Sequence, residues 1–266
     1  MTLASPELWP HAWPVLPVAL LVAVGAGAVR GFAGFGFAAL VVGGLSPFVP
    51  PGPVVLAVML LEVLASLGLL RALAPDVDRS WLRVLLLGNG LCIPLGMTAL
   101  AWLPVVWVRI LVGAALLVAS LALRRVEGRG VRPGRGLRGL AGVASGLLNG
   151  LAASGGVVAA MLMATTRIEP VAMRATMITF LFWVSLYAVA WALGLTLAGS
   201  STTRLVGWDT LRWMLVLGPA MLLGMRLGTR AFGSAHPQQY RRFVLNLLVV
   251  ISGLGLTHAL WTLSRS

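Results

Sequence analysis

The sequence predicts an all-α, polytopic integral membrane protein of about eight transmembrane helices in two four-helix repeats. Three observations carry that expectation. Of 266 residues, 59% are hydrophobic and only 10% are charged, where a soluble chain carries roughly 25% charged residues. The apolar residues gather into runs near 14–45, 53–73, 81–101, 104–123, 138–164, 171–197, 209–231 and 242–262, and a bilayer crossing needs about 20 such residues. The two halves of the chain also resemble each other in order.

The first run is too long for one straight crossing. Its middle reads Arg30-Gly31-Phe32-Ala33-Gly34-Phe35-Gly36-Phe37. The fifth run holds Asn149-Gly150-Leu151-Ala152-Ala153-Ser154-Gly155-Gly156. Clustered glycines oppose a helix interior, each by about 1 kcal/mol relative to Ala. Membranes tolerate such interruptions where the freed backbone lines a cavity or packs in protein. The first helix of each repeat is therefore expected to be discontinuous or re-entrant. A single crossing and a hairpin both stay open, and hairpins change the parity of spans and invert the repeats.

The other six runs read as ordinary spans. Trp9, Trp13, Trp81, Trp102, Trp107, Trp208, Trp213, Tyr240 and Trp261 fall near run ends, as an interfacial aromatic belt requires. A shift of 119 residues places Gly31 on Gly150, Ala33 on Ala152, Gly36 on Gly155 and Pro51 on Pro170. Further on, Leu95-Gly96-Met97 repeats as Leu223-Gly224-Met225, and Arg109 corresponds to Arg242. An ordered series of matches argues for duplication. The division is a first repeat over 1–123, a basic linker over 124–138 and a second repeat over 139–266. Glycines such as Gly88, Gly96, Gly113, Gly224 and Gly228 read as helix-packing residues.

Charge excludes several functions. All basic residues are Arg, so there is no P-loop lysine and no Schiff-base lysine. The net charge of +13 does not signal nucleic-acid binding, because the Arg residues cluster between apolar runs, where they set orientation against an anionic leaflet. Cys92 is the single cysteine and the three histidines are scattered, which leaves no intrachain disulfide and no thiolate zinc site. No metal or cofactor is expected. The first Arg is Arg30, so a signal-peptide n-region is missing and the first run reads as a retained span. With eight single crossings, Arg71, Arg79, Arg83, the six linker Arg, Arg204, Arg212 and Arg265 share one side, and seven Arg share the other. That balance of twelve to seven places both termini in the cytoplasm.

The two breaks are the main functional candidates. A broken helix exposes backbone N–H groups and a positive dipole end, which suit an anion. Paired breaks in two repeats point to a transporter site, here Gly31, Gly34, Phe35 and Gly36 with Gly150, Ser154, Gly155 and Gly156. The competing reading is tight packing through small residues. Arg30 is either an anion ligand or the partner of an acid, since a mid-membrane charge costs at least about 3 kcal/mol; snorkelling is the alternative. Its counterpart Asn149 is a neutral donor. Glu62, alone among acids deep inside an apolar run, is a proton-coupling carboxylate, a counter-ion for Arg30, or a neutral hydrogen-bonded acid. Asn89, Cys92, Thr176 and Thr179 are weaker candidates. Ser154 lacks the glycine two residues upstream that an intramembrane serine protease motif requires, so proteolysis is not the expected activity.

These motifs resemble the TauE/SafE family of sulfite-exporter-like permeases. The glycine stretches at 31–36 and 150–156, each followed by an apolar run and a proline turn (Pro47 to Pro53, then Pro170), carry the resemblance. Glycines at 88–96 and 218–228 add to it. It implies a non-enzymatic secondary transporter, expected to export small anions such as sulfite, sulfonates or related organic acids across a plasma (inner) membrane. Its partners would be the anionic substrate and the lipid bilayer, and a homodimer is open to it. Phe35 and Phe37 stand where more glycine is expected, which implies a bulkier, more apolar first pocket. A membrane scaffold or intramembrane enzyme is the alternative.

Overall fold

The computed structural model describes residues 14–45, 48–49, 51–102, 134–152, 155–166, 168–197, 207–236, 238–240, 242–244, 246–247, 249–250 and 253. The expectations for Ser154, the run at 104–123, the linker before Gly134 and most of the last run lie outside them. The described chain is all-helical: α1 (Leu16–Ala33), α2 (Phe37–Leu45), α3 (Pro51–Leu73), α4 (Arg79–Trp102), α5 (Arg135–Ala152), α6 (Gly155–Ala164), α7 (Pro170–Leu197) and α8 (Trp208–Ser234). Among the described residues, four stretches are long and apolar enough to cross a membrane: Leu16–Ala33, Pro53–Asp76, Pro170–Trp191 and Trp208–Ser234.

The break in the first run follows from two glycines. Gly34 takes the left-handed conformation at φ 86° and donates its N–H to Arg30 O at 2.8 Å, an αL cap that ends α1. Gly36 also has positive φ, at 94°. The chain then reverses. A Cβ built on Gly44 would lie 3.1 Å from Val22 Cγ1, whereas one continuous helix would hold these residues more than about 30 Å apart. The nine residues of α2 span only about 14 Å and cannot cross a bilayer. The second run behaves alike: Ser145 Oγ donates to Gly155 O at 2.8 Å, and a Cβ on Gly155 would sit 2.6 Å from Asn149 Cβ. So α6 turns back against α5, and both runs are hairpins.

Packing sets the helix directions. Gly27 abuts Met221, Gly31 abuts Met225, and Gly228 abuts Ala28 and Phe32. The numbers rise together, so α1 and α8 are parallel. Gly142 abuts Val84, and Gly146 abuts Gly88 and Cys92, so α4 and α5 are parallel too. A Cβ on Gly27 or Gly142 would lie 2.5 Å from a backbone carbonyl oxygen of the facing helix; these are backbone-to-backbone seams of the small-residue kind.

Where α3 ends, three other helices begin. Asp78 Oδ1 caps α4, accepting from Ser80 N at 2.9 Å and Trp81 N at 3.1 Å. Asp78 N donates to Thr176 Oγ1 near the start of α7, at 2.9 Å. Arg138, in the first turn of α5, donates to Ser80 Oγ and lies over the buried Trp81 ring. Thus α1, α3 and α8 run toward this face, and α4, α5 and α7 run away from it. The first hairpin enters from one face and the second from the other.

Two apolar cores flank the hairpins. One joins Ala19, Ala23, Phe37, Val41, Val58, Leu217 and Met221. The other joins Phe35, Trp81, Leu85, Val157, Met161, Met177 and Phe180. Phe35 and Phe37 therefore point into different cores, both fully buried. They anchor the hairpin turn between two packed masses.

Candidate functional site

One cavity lies where the two hairpins approach each other. Its walls are Gly36, Ala38 and Ala39 before and within the first turn of α2, Gly156 and Val157 in the first turn of α6, Met59 and Glu62 of α3, Asn149 of α5, and Leu181, Val184 and Ser185 of α7. As the side chains stand, its enclosed volume is about 30 Å³, room for a water molecule or two, and it widens into an open mouth. The first turns of two half-helices, with their unbonded N–H groups, therefore meet the same space. Of the predicted site residues, the cavity brings together Gly36, Glu62, Asn149 and Gly156.

Arg30 stands behind the wall. It is 2% exposed, and Nη1 donates to Glu62 Oε1 at 2.9 Å. Nη2 donates to Ser66 Oγ at 2.7 Å and to Glu62 O at 3.3 Å. Ser66 Oγ in turn donates to Glu62 O at 2.7 Å. The other carboxylate oxygen, Glu62 Oε2, accepts from Ser185 Oγ at 2.9 Å. Glu62 is thus the counter-ion of Arg30 and is itself on the cavity wall. The guanidinium fork is occupied by partners from α3, so Arg30 reaches the cavity through its field.

Asn149 belongs to a second polar chain. Its Nδ2 donates to Asn89 Oδ1 at 3.4 Å. Asn89 Nδ2 donates to Leu85 O at 2.9 Å and to Ser145 Oγ at 3.1 Å. Ser145 holds Gly155 O, so this chain braces the second break as the ion pair braces the first. Cys92 packs in the α4–α5 seam against Gly146. Thr176 fixes the α3–α4 connection, and Thr179 Oγ1 donates to Ala175 O within α7 at 2.9 Å.

The remaining predicted residues lie elsewhere. Gly31 faces Met225 of α8. Gly34 lets the chain approach α7, where a Cβ would lie 2.9 Å from Arg174 O. Phe35 is in the core. Gly150 lies in α5.

Several contributors were not singled out from the sequence. Ser185 and Ser66 flank the ion pair, and the 119-residue shift places Ser66 on Ser185; that match was the available signal. Arg174 Nε donates to Gly31 O at 2.9 Å, and its Nη2 donates to Thr229 Oγ1 at 3.2 Å. Tyr240 OH donates to Ala33 O at 3.1 Å. Together they satisfy carbonyls left open at the end of α1. The Arg174 guanidinium covers the Phe232 ring at 4.7 Å, and Phe32 packs among Phe232, Tyr240 and Phe243. Burial pushes the Tyr240 phenol up, against the pull of Arg174, so it stays a neutral donor.

No curated protein and no solved structure matches the chain. A family described as Sulfite exporter TauE/SafE matches residues 19–255, nearly the whole sequence whose hairpins, seams and cavity are described above. The chain belongs to the TauE/SafE sulfite exporter family.

Proposed function

We propose that the chain is a secondary transporter that exports small anions, such as sulfite, sulfonates or related organic acids, through the cavity between its two hairpins. One observation carries the reading: the first turns of α2 and α6 line a single cavity. Half-helix N-termini facing a common space from two repeats are the arrangement in which transporters hold anionic groups. Asn149 and Ser185 add polar side chains, and the glycines at 36 and 156 bring backbone close to a cargo.

The helix directions support two inverted repeats. The pairs α1 and α5, α3 and α7, and α4 and α8 occupy corresponding places in the two halves, and each pair runs in opposite directions. The seams exchange partners between halves, α1 with α8 and α5 with α4. Alternating access would then be one repeat moving against the other about the cavity.

Inversion also changes the expected orientation. Take the runs at 104–123 and 242–262 as single crossings. Arg71, Arg79, Arg83, the six linker Arg, Arg167, Arg174, Arg226, Arg230, Arg241 and Arg242 then share one face, leaving Arg109, Arg204, Arg212 and Arg265 on the other. Fifteen to four is a stronger bias than the twelve to seven of eight single crossings. We therefore place the linker in the cytoplasm and both termini outside, replacing the expectation of cytoplasmic termini, which assumed that the first and fifth runs each cross once.

Counterflow of labelled sulfite and methanesulfonate in proteoliposomes tests the function. Ala39→Phe should fill the cavity and abolish counterflow while the purified protein stays monodisperse. Undiminished counterflow in that variant would remove the cavity from the path.

A further inference from the structure

We propose that the cavity takes up its anion together with one proton, carried on the Glu62 carboxylate. This rests on the reading of the cavity as an anion site and names its coupling ion.

Glu62 is buried and lines the cavity, while its partner Arg30 is behind it at 2.9 Å. With Glu62 ionised, the two charges cancel and a carboxylate confronts the incoming anion. Two like charges in a water-poor site repel strongly. A proton on Glu62 removes that repulsion and leaves the positive charge of Arg30 uncompensated beside the cargo. Arg30 then attracts the anion through the neutral carboxyl. The carboxyl can still accept from Arg30, so the fork loses no partner. The proton arrives from the water on the side that loads the anion, rests on a Glu62 oxygen, and leaves when the anion leaves. No other bond forms or breaks. For a monoanion the loaded cycle moves no net charge, so export runs down the anion's own outward gradient and carries the proton with it.

The neighbours of Glu62 leave it to Arg30 alone. Among the described residues α2 and α6 contain no ionisable side chain, and α5 presents Asn149. α7 presents Ser185, and its Arg174 is engaged with Gly31 O. α8 meets α3 where Gly218 faces Leu61; its Arg212, Arg226 and Arg230 are exposed and Asp209 is half-buried. Binding linkage is reciprocal: whatever factor the proton adds to anion affinity, the anion adds to proton affinity.

The test is binding of methanesulfonate, which takes up no proton itself near neutral pH, to the purified full chain in weak buffer. The expected result is uptake of one proton per anion, with affinity falling about tenfold per pH unit on the alkaline limb. Glu62→Gln should bind without proton uptake and without that pH dependence. Wild-type binding with no proton uptake overturns the inference and leaves the anion site standing, whether or not the variant folds. If neither methanesulfonate nor sulfite binds or is transported at any pH, the anion site itself falls and the inference falls with it.

Discussion

Arg30 and Glu62 are side chains of opposite charge, 2% and 4% exposed, joined at 2.9 Å. Removing one partner of such a pair leaves a buried charge unpaired and costs about 3–5 kcal/mol, whereas replacing both by apolar groups is often near neutral. Arg30→Met alone should therefore lower thermal stability in detergent sharply. The double variant Arg30→Met with Glu62→Leu should regain most of that loss, yet fail in counterflow. A double variant that transports normally would reduce the pair to structural glue. The pair was half legible. A charge inside an apolar run marks itself by what it costs there, so both residues stood out. Their bond did not, because 32 positions separate them and only the fold of α1 against α3 brings them level. Ser185 was marked in the sequence only by its match with Ser66, and its bond to Glu62 was hidden for the same reason.

At the scale of elements, the glycines divide by what faces them. Gly228 lies against the backbone of Ala28 and Phe32, while Gly90 has nothing near its missing Cβ. A methyl group at the first position must push two backbones apart, at about 1–3 kcal/mol for overpacking. At the second it should only improve helix propensity, by up to about 1 kcal/mol. Thermal melts should show Gly228→Ala destabilised and Gly90→Ala unchanged or slightly stabilised. Equal behaviour of the two would mean that the α1–α8 seam is not tightly packed. The breaks themselves were readable, since clustered glycines oppose a helix locally. Their outcome was not. Whether a broken helix continues or returns depends on what α2 packs against, and here Val22 of α1 and the core shared with α3 receive it.

For the whole molecule, direction is the decisive quantity. Among the described helices α1, α3 and α8 run one way and α4, α5 and α7 the other, and the proposed inversion of the repeats rests on those directions. The proposed orientation predicts that an impermeant maleimide added to intact cells labels Ser5→Cys and spares Arg129→Cys, in a chain whose Cys92 is replaced by Ala. The reverse pattern would return the termini to the cytoplasm. The glycine seams also tie the halves together: α1 lies against α8 and α5 against α4.

Composition and run length were enough to establish a membrane-embedded, all-helical chain, because hydropathy is a local sum over about 20 residues. The order of glycine motifs was enough to point to the family and to the two failing helices. Which residues face the cavity, that Arg30 is screened by Glu62, and that both long runs turn back are facts of long-range packing. They depend on contacts between residues 10 to 198 positions apart, such as Ser145 with Gly155, Arg30 with Glu62 and Gly31 with Thr229, and no local property of the chain encodes which of these form.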